Sequence, residues 1–202
     1  IAVSGNYTPS DRVVDAIENG IQKLTSKGYR VGFMLVDLRS GQSISYNADE
    51  KFYCASTIKG PYVCSVVSAN PSAITNYASS IKNILYYSSN EDYTALRNRY
   101  GNDCMMKWCK AAGIDANIGS QKWPDLTAEE LCKLWIQNYT YFNADSTGEK
   151  LGRWFQSPEV SPIRSVLGST YTTRTKAGWI NGSNAHYQAA NDAGIVYADN
   201  GA

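Results

Sequence analysis

The segment Ser56-Thr57-Ile58-Lys59-Gly60-Pro61 sets a hydroxyl and an amine three residues apart. On a helix starting near Ser56 the two side chains lie one turn apart on the same face. A neutral Lys59 amine can then take the Ser56 proton, and the positive end of the helix favours an alkoxide or oxyanion there. By itself the tetrapeptide fits an N-cap followed by a solvated lysine better. Thirty-two residues on stands Ser88-Ser89-Asn90, where an apolar-aromatic stretch meets a helical one. Near the end stands Lys176-Ala177-Gly178, inside a strand-like run. Taken singly, these read as a turn with a cap and as a strand-edge lysine. Taken together, they offer a second amine which, with burial, would make Lys59 easier to deprotonate.

Other chemistries find fewer parts. His186 is the single histidine and no G-x-S-x-G elbow accompanies it, so it reads as a loop residue rather than a triad member. The five cysteines (Cys54, Cys64, Cys104, Cys109, Cys132) contain no CxxC pair, and one histidine is too few for a structural zinc site. No metal and no cofactor is expected. The cysteine count leans towards an oxidising compartment with at least one thiol unpaired, although buried free thiols fit it too. Lys plus Arg (19) nearly balances Asp plus Glu (18), and no basic run exceeds two residues, so nucleic acid is not an expected partner. No run reaches the ~18 apolar residues of a membrane span. Ile1-Ala2-Val3-Ser4-Gly5 lacks the charged and apolar regions of a signal peptide, and the expected setting is extracytoplasmic, as a mature secreted or cell-surface form.

The elements that must position these residues follow from periodicity. Ser10-Asp11 begins a helix with Val14, Ile17, Ile21 and Leu24 on one face, ended by Gly28. Val31 to Leu38 and Gln42 to Tyr46 form a hairpin around Arg39-Ser40-Gly41. From Ser56 to about Leu151 the pattern is helical, broken at Asn70-Pro71, Gly101, Gly113 and Pro124, and a further helix covers Gly152 to Gln156. Tyr171 to Ile180 and Ala193 to Ala198 read as strands around the turn 181–184. Neither hairpin would be stable alone in water, so the two ends are expected to share one sheet. The expectation is one α/β (α+β) domain, with a sheet lobe from 1–55 and 151–202, a helical lobe from 56–150, and the site in the cleft between them.

S-x-x-K, then S-x-N, then K-x-G, in that order and each on the expected element, resembles the motif set of the penicillin-binding proteins and class A β-lactamases. The likeness runs over essentially the whole chain. Ser56-Thr57-Ile58-Lys59-Gly60-Pro61 is similar to the S-x-I-K-x-P form of class A β-lactamase-like proteins. Lys176-Ala177-Gly178-Trp179-Ile180 and Asn191-Asp192-Ala193-Gly194-Ile195-Val196 resemble the family's third and fourth strands. Leu151 to Leu167, with Trp154 and Arg164, resembles the helix and turn before the K-T-G strand, with Arg164 a structural tie. The resemblance implies a β-lactamase/transpeptidase-like fold, an antiparallel sheet flanked by helices with a helical subdomain. It implies that Ser56 attacks a carbonyl, Lys59 deprotonates it, and Ser88 relays a proton to the leaving nitrogen. Asn90 would hydrogen-bond the substrate amide and Lys59. Lys176 would supply positive charge beside Ser88 and the substrate carboxylate, near Ala177 and Gly178. The backbone N–H groups of Ser56 and Trp179 would form the oxyanion hole. The implied partner is a small-molecule β-lactam or a cell-wall peptide.

Three departures bear on turnover. The family's omega loop carries a glutamate that activates the deacylating water, but here Gly113-Ile114-Asp115 runs within a few residues to Trp123-Pro124-Asp125, leaving no room for it. Asp125, Glu129 and Glu130 are the carboxylates nearby, and they read as first-turn helix charges. Ala177 stands where the family has Thr or Ser, removing a donor worth ~1.5–3 kcal/mol to a carboxylate, unless Thr175 compensates. Asp199-Asn200-Gly201-Ala202 stands where the family turns into a fifth strand and last helix, which would leave two sheet edges unpaired. Acylation is therefore expected to survive better than turnover. A D,D-peptidase, a non-catalytic cell-wall-peptide module and a carbohydrate surface built on Tyr86-Tyr87 and Tyr139 to Phe142 remain as alternatives.

Overall fold

A computed structural model of the chain describes residues 1–198. Its residues group into two compact units, one of Ile1–Lys51 with Leu126–Cys132, the other of Phe52–Asp125 with the residues from Lys133 onward. The fourth-strand neighbourhood is thus described, while Asp199 to Ala202 lie outside the described residues.

In the first unit, β1 (Ala2–Ser4), β2 (Phe33–Val36) and β3 (Ser43–Tyr46) form an antiparallel sheet in the order β1-β3-β2. Ile44 is opposite Val3 on one side and Leu35 on the other, and it is the buried residue of that strand. The β2–β3 turn is held by the Asp37 carboxylate, which accepts from the N–H groups of Arg39 (2.8 Å) and Ser40 (3.1 Å). Helix α1 (Asp11–Thr25) covers the predicted stretch; Val14, Ile17 and Ile21 are half-buried, while Leu24 is exposed.

The second unit is built around α2 (Lys59–Ala69), whose residues from Lys59 to Val67 are all buried. A helix apolar on every side must be packed on every side. Around it come β4 (Phe52–Tyr53), a 3-10 turn (Ala55–Ile58), α3 (Ala73–Asn76), α4 (Ala78–Tyr86), α5 (Asn90–Tyr100) and α6 (Asp103–Ala111). β5 (Asp125–Leu126) and α7 (Ala128–Phe142), each divided between the two units, and then α8 (Ser146–Trp154), α9 (Pro162–Leu167), β6 (Thr172–Ile180) and β7 (Ala189–Tyr197) follow. Helix α8 starts earlier than the pattern predicts because the Asp145 carboxylate caps the Gly148 N–H at 2.8 Å. Helix α7 starts with a capping box: the Thr127 N–H donates to Glu130, and the Glu130 N–H donates to the Thr127 hydroxyl (2.8 and 3.0 Å).

β6 and β7 pair antiparallel from Thr172↔Tyr197 to Ile180↔Ala189. Among the described residues the strands form three separate ladders, the third being β4 with β5, where the sequence pattern leads one to expect a single sheet. Alternation fixes which face of a strand is buried but not which edge it pairs with. A Cβ at Gly60 would lie 3.3 Å from the Lys176 Cβ, so β6 rests directly on α2.

Candidate active site

Ser56, Lys59, Ser88, Asn90 and Lys176 all fall in the second unit, as do Thr175, Ala177, Gly178 and Trp179. Ser56 lies in the 3-10 turn that runs straight into α2, which sets Ser56 and Lys59 one turn apart. The turn is tied by the Thr57 hydroxyl and N–H, which both donate to the Cys54 carbonyl (2.7 and 3.2 Å). Ala55 has φ of 47° and Ser88 has φ of 59°. Such left-handed backbone in non-glycine residues costs about 1–3 kcal/mol each and persists where surrounding contacts enforce it. Both flank the same site.

The Lys59 ammonium is buried and donates to the Ser88 carbonyl (2.6 Å) and to Asn90 Oδ1 (2.6 Å), with a longer reach to Ser88 Oγ (3.4 Å). It stands 5.6 Å from the centre of the Tyr93 ring. From β6, the equally buried Lys176 donates to the same Ser88 Oγ at 2.9 Å and to its neighbour's carbonyl, Ala177 O. One hydroxyl thus joins two amines drawn from segments far apart in the chain. Lys59 is not hydrogen-bonded to Ser56, in contrast to the direct pairing expected from S-x-x-K. A buried ammonium strongly needs acceptors, and Ser88 and Asn90 supply them. Among the described residues none hydrogen-bonds the Ser56 hydroxyl, which is half-buried and uncommitted.

Burial pushes the Lys59 amine down to about 8, helped by the charge of Lys122. Burial pushes Lys176 down to about 7, and the charge of Lys59 adds to this while Asp192 opposes it. Asp192 is anchored beneath α9: its Oδ2 accepts from the Ser161 hydroxyl (2.6 Å) and the Ile163 N–H (2.9 Å). The nearby Cys54 thiol is pushed up to about 12, chiefly by burial, so it does not compete with Ser56 as a nucleophile. Cys54, Cys64 and Cys104 are free thiols.

Gly178 brings the strand onto the nucleophile's turn. A methyl group there would stand 2.5 Å from the Thr57 nitrogen and closer still to that of Ser56, so only glycine fits. Along β6 the N–H groups alternate between the two edges. The Thr175 N–H donates to the Phe155 carbonyl at 3.1 Å, away from β7, and alternation turns the Trp179 N–H to that same edge. The Ser56 and Trp179 amides therefore lie along one seam, Trp179 being half-exposed at its mouth. Ala177 is buried and leaves the family's hydroxyl position empty of a donor. Thr175 is 1% exposed, its methyl packs on Gly194 of β7, and its hydroxyl is buried with no hydrogen-bond partner among the described residues.

Of the carboxylates considered for water activation, Glu130 is otherwise engaged. Glu130 serves its own helix cap and pairs with Lys51 at 2.6 Å. Arg164 donates to the Gln156 carbonyl at 2.9 Å and is a structural tie. His186 lies in a short 3-10 turn, Ala185–Tyr187, in the β6–β7 connection. Of the aromatic residues read as a possible surface, Tyr141 and Phe142 are core.

Sequence reasoning missed Tyr93, Thr94 and Lys122. The first two stand three and four residues after Asn90, so helical spacing could have flagged them. The Tyr93 hydroxyl donates to the Lys122 carbonyl (2.9 Å), and the Lys122 amine donates to the Thr94 hydroxyl (2.6 Å). No spacing rule links residue 122 to residue 94.

Residues 13–73 match the model of the β-lactamase enzyme family, a span that includes Ser56 and Lys59. No curated protein matches the chain in sequence. Solved structures match over nearly its whole length. A β-lactamase from Chitinophaga pinensis DSM 2588 is 14% identical with a TM-score of 0.70, over 92% of this chain and 87% of that one. A variant of the class A β-lactamase of the last common ancestor of Gram-negative bacteria is 17% identical with a TM-score of 0.71, over 93% and 86%. The TLA-1 extended-spectrum β-lactamase is 15% identical with a TM-score of 0.73, over 95% and 86%. At such identities the likeness is one of fold, and the fold is class A β-lactamase-like.

Proposed function

We propose that this class A β-lactamase-like chain is a penicillin-recognising serine hydrolase that forms an acyl-enzyme at Ser56. The reading rests on one observation above all: Lys59 and Lys176 converge on the Ser88 hydroxyl while Gly178 lies against the backbone of Ser56. In the proposed step the Ser56 oxygen bonds to the carbonyl carbon and its proton passes to a neutral Lys59 amine. The carbonyl oxygen becomes an oxyanion facing the Ser56 and Trp179 N–H groups. As the carbon–nitrogen bond breaks, Ser88 gives its proton to the leaving nitrogen and is reprotonated from the adjoining amines. Lys176 then serves as the cation beside the substrate's carboxylate. Water completes the cycle by hydrolysing the ester.

That last step is the slow one. Glu130 is held in its cap and ion pair, and the short segment after Gly113 supplies no glutamate of the omega-loop type. Loss of a positioned base costs about 10²–10⁴ in rate. A long-lived adduct follows, which gives weight to a penicillin-binding or D,D-peptidase role on cell-wall peptides outside the cytoplasm.

Incubation with a fluorescent penicillin, followed by intact mass over time, tests the reading. A lasting adduct on the wild-type chain, lost in Ser56→Ala, is the expected outcome; rapid release of hydrolysed drug would instead mark an efficient β-lactamase. No adduct with either protein would leave a non-catalytic peptide-binding module.

A further inference from the structure

The site does not end at Asn90. Hydrogen bonds continue from Lys176 to Ser88 Oγ (2.9 Å), from Lys59 to Ser88 and to Asn90 Oδ1 (2.6 Å), from the Thr94 hydroxyl to the Asn90 carbonyl (2.6 Å), and from Lys122 to that same Thr94 hydroxyl (2.6 Å). Three amines are therefore linked through one chain of hydrogen-bonded groups, with Lys59 between the other two. The same order is felt electrostatically, since Lys59 senses Lys122 and Lys176 senses Lys59. Tyr93 fixes the far end, its ring beneath Lys59 and its hydroxyl on the Lys122 carbonyl.

Lys122 differs from its two neighbours in being only half-buried. Its amine meets Thr94 and lies 4.5 Å from the centre of the Trp123 ring, and it forms no ion pair among the described residues. The Asn90 amide nitrogen has no hydrogen-bond acceptor among the described residues, and Asn90 is exposed. If the leaving nitrogen lies at Ser88 and the acyl amide at Asn90, as the proposed function has it, whatever extends past the amide arrives at Lys122. We infer that Lys122 is a specificity-determining residue, selecting acyl donors whose acyl side chain carries an anionic group. The neighbouring Trp123 ring gives the apolar part of that side chain a face to lie on. A charge-assisted hydrogen bond at a partly exposed position is worth about tenfold in affinity.

This inference rests on the proposed orientation of substrate, so its test is built to read binding separately from chemistry. The probes are benzylpenicillin and the same penicillin with one extra carboxylate on the acyl side-chain methylene. Affinities are measured by calorimetry on Ser56→Ala, whose hydroxyl holds no structural hydrogen bond, and again with Lys122→Gln or Lys122→Arg added. The dicarboxylate is expected to bind about tenfold tighter, with the ratio falling to about one in Lys122→Gln and persisting in Lys122→Arg. Equal affinities on Ser56→Ala, no binding of either probe, or a preference that survives Lys122→Gln would each overturn the assignment. The wild-type chain is run alongside for adduct formation. A preference without any adduct sinks the hydrolase reading and spares this one, while adducts with no preference do the reverse.

Discussion

Replacing Lys176 by Met should make the protein more stable and less reactive. Lys176 is 2% exposed, and its amine is lowered from 10.5 to about 7. At about 1.4 kcal/mol per pH unit, holding a proton there is disfavoured by about 5 kcal/mol relative to water. At pH 7 the native state bears roughly 4 kcal/mol of that penalty, because the unfolded lysine is fully protonated while the folded one is about half so. Met matches the length and carries no charge, but it gives up the bonds to Ser88 Oγ and Ala177 O, worth about 1–2 kcal/mol together. The net expectation is a gain of about 2–3 kcal/mol at pH 7, or about 4–12 °C in Tm for a chain of this size. The sign depends on pH in a definite way. A lysine with a depressed native pKa costs most below about 7 and nothing above the unfolded value near 10.4, so the gain shrinks steadily across that window. The measurement is the difference in unfolding free energy between wild type and Lys176→Met in urea at pH 7 and pH 9.5. Taking the difference matters, since Tyr62, Tyr93 and Cys54 have raised pKa values through burial and oppose the trend in both proteins. A variant less stable than wild type at pH 7, or a gain as large at pH 9.5, would refute the electrostatic account. Acylation should fall by at least tenfold in the same variant, with the fold intact.

Gly178→Ala should lower the rate of adduct formation by at least about 100-fold, because the new methyl would collide with the Ser56 and Thr57 nitrogens; mass spectrometry at early times reads this, and a rate within threefold of wild type would contradict the packing. Adduct formation should follow a bell in pH, rising as the first proton leaves the Lys59–Lys176 pair near 7 and falling as the second leaves above about 8. Stopped-flow fluorescence between pH 5.5 and 9.5 checks it, and a flat profile would remove both amines from the step. Thr127→Ala should lower stability by about 1 kcal/mol in urea unfolding, since it removes one half of the capping box with Glu130; no change would mean that Lys51 alone holds Glu130 in place.

Much of the site could be read from the sequence because its chemistry is concentrated in short motifs with a fixed internal geometry. Ser56 and Lys59 lie one helical turn apart, and Ser89 caps α5 through the Asp92 N–H at 3.1 Å, which sets Ser88 and Asn90 at a helix start. Helix α1 was legible for a similar reason: it repeats its period over enough residues to stand out. What escaped is what periodicity cannot carry. β1, β4 and β5 are two or three residues long, and the pairing of edges depends on tertiary contact. Lys122 was invisible because it lies outside any helix or strand and its partner, Thr94, stands 28 residues earlier on α5.

The arrangement also explains why such reactive groups can be held so tightly. Two strained backbone positions, Ala55 and Ser88, and two buried amines are concentrated around one hydroxyl, and each is unfavourable taken alone. None is free to relax separately. Rotating Ser88 out of its left-handed conformation would withdraw the carbonyl and the hydroxyl that Lys59 uses, and it would strip Lys176 of an acceptor. Shifting β6 would drive Gly178 into, or away from, the turn that carries Ser56. The helix beneath, α2, anchors that turn through a face of fully buried Tyr62, Val63, Val66 and Val67, which contribute about 1.5–3 kcal/mol each when removed from water. A few such side chains offset the strain and the desolvation together. Stability lost at the site is thus supplied one turn away on the same helix, and a change that loosens α2 should disorder the hydroxyl–amine cluster before it unfolds the chain.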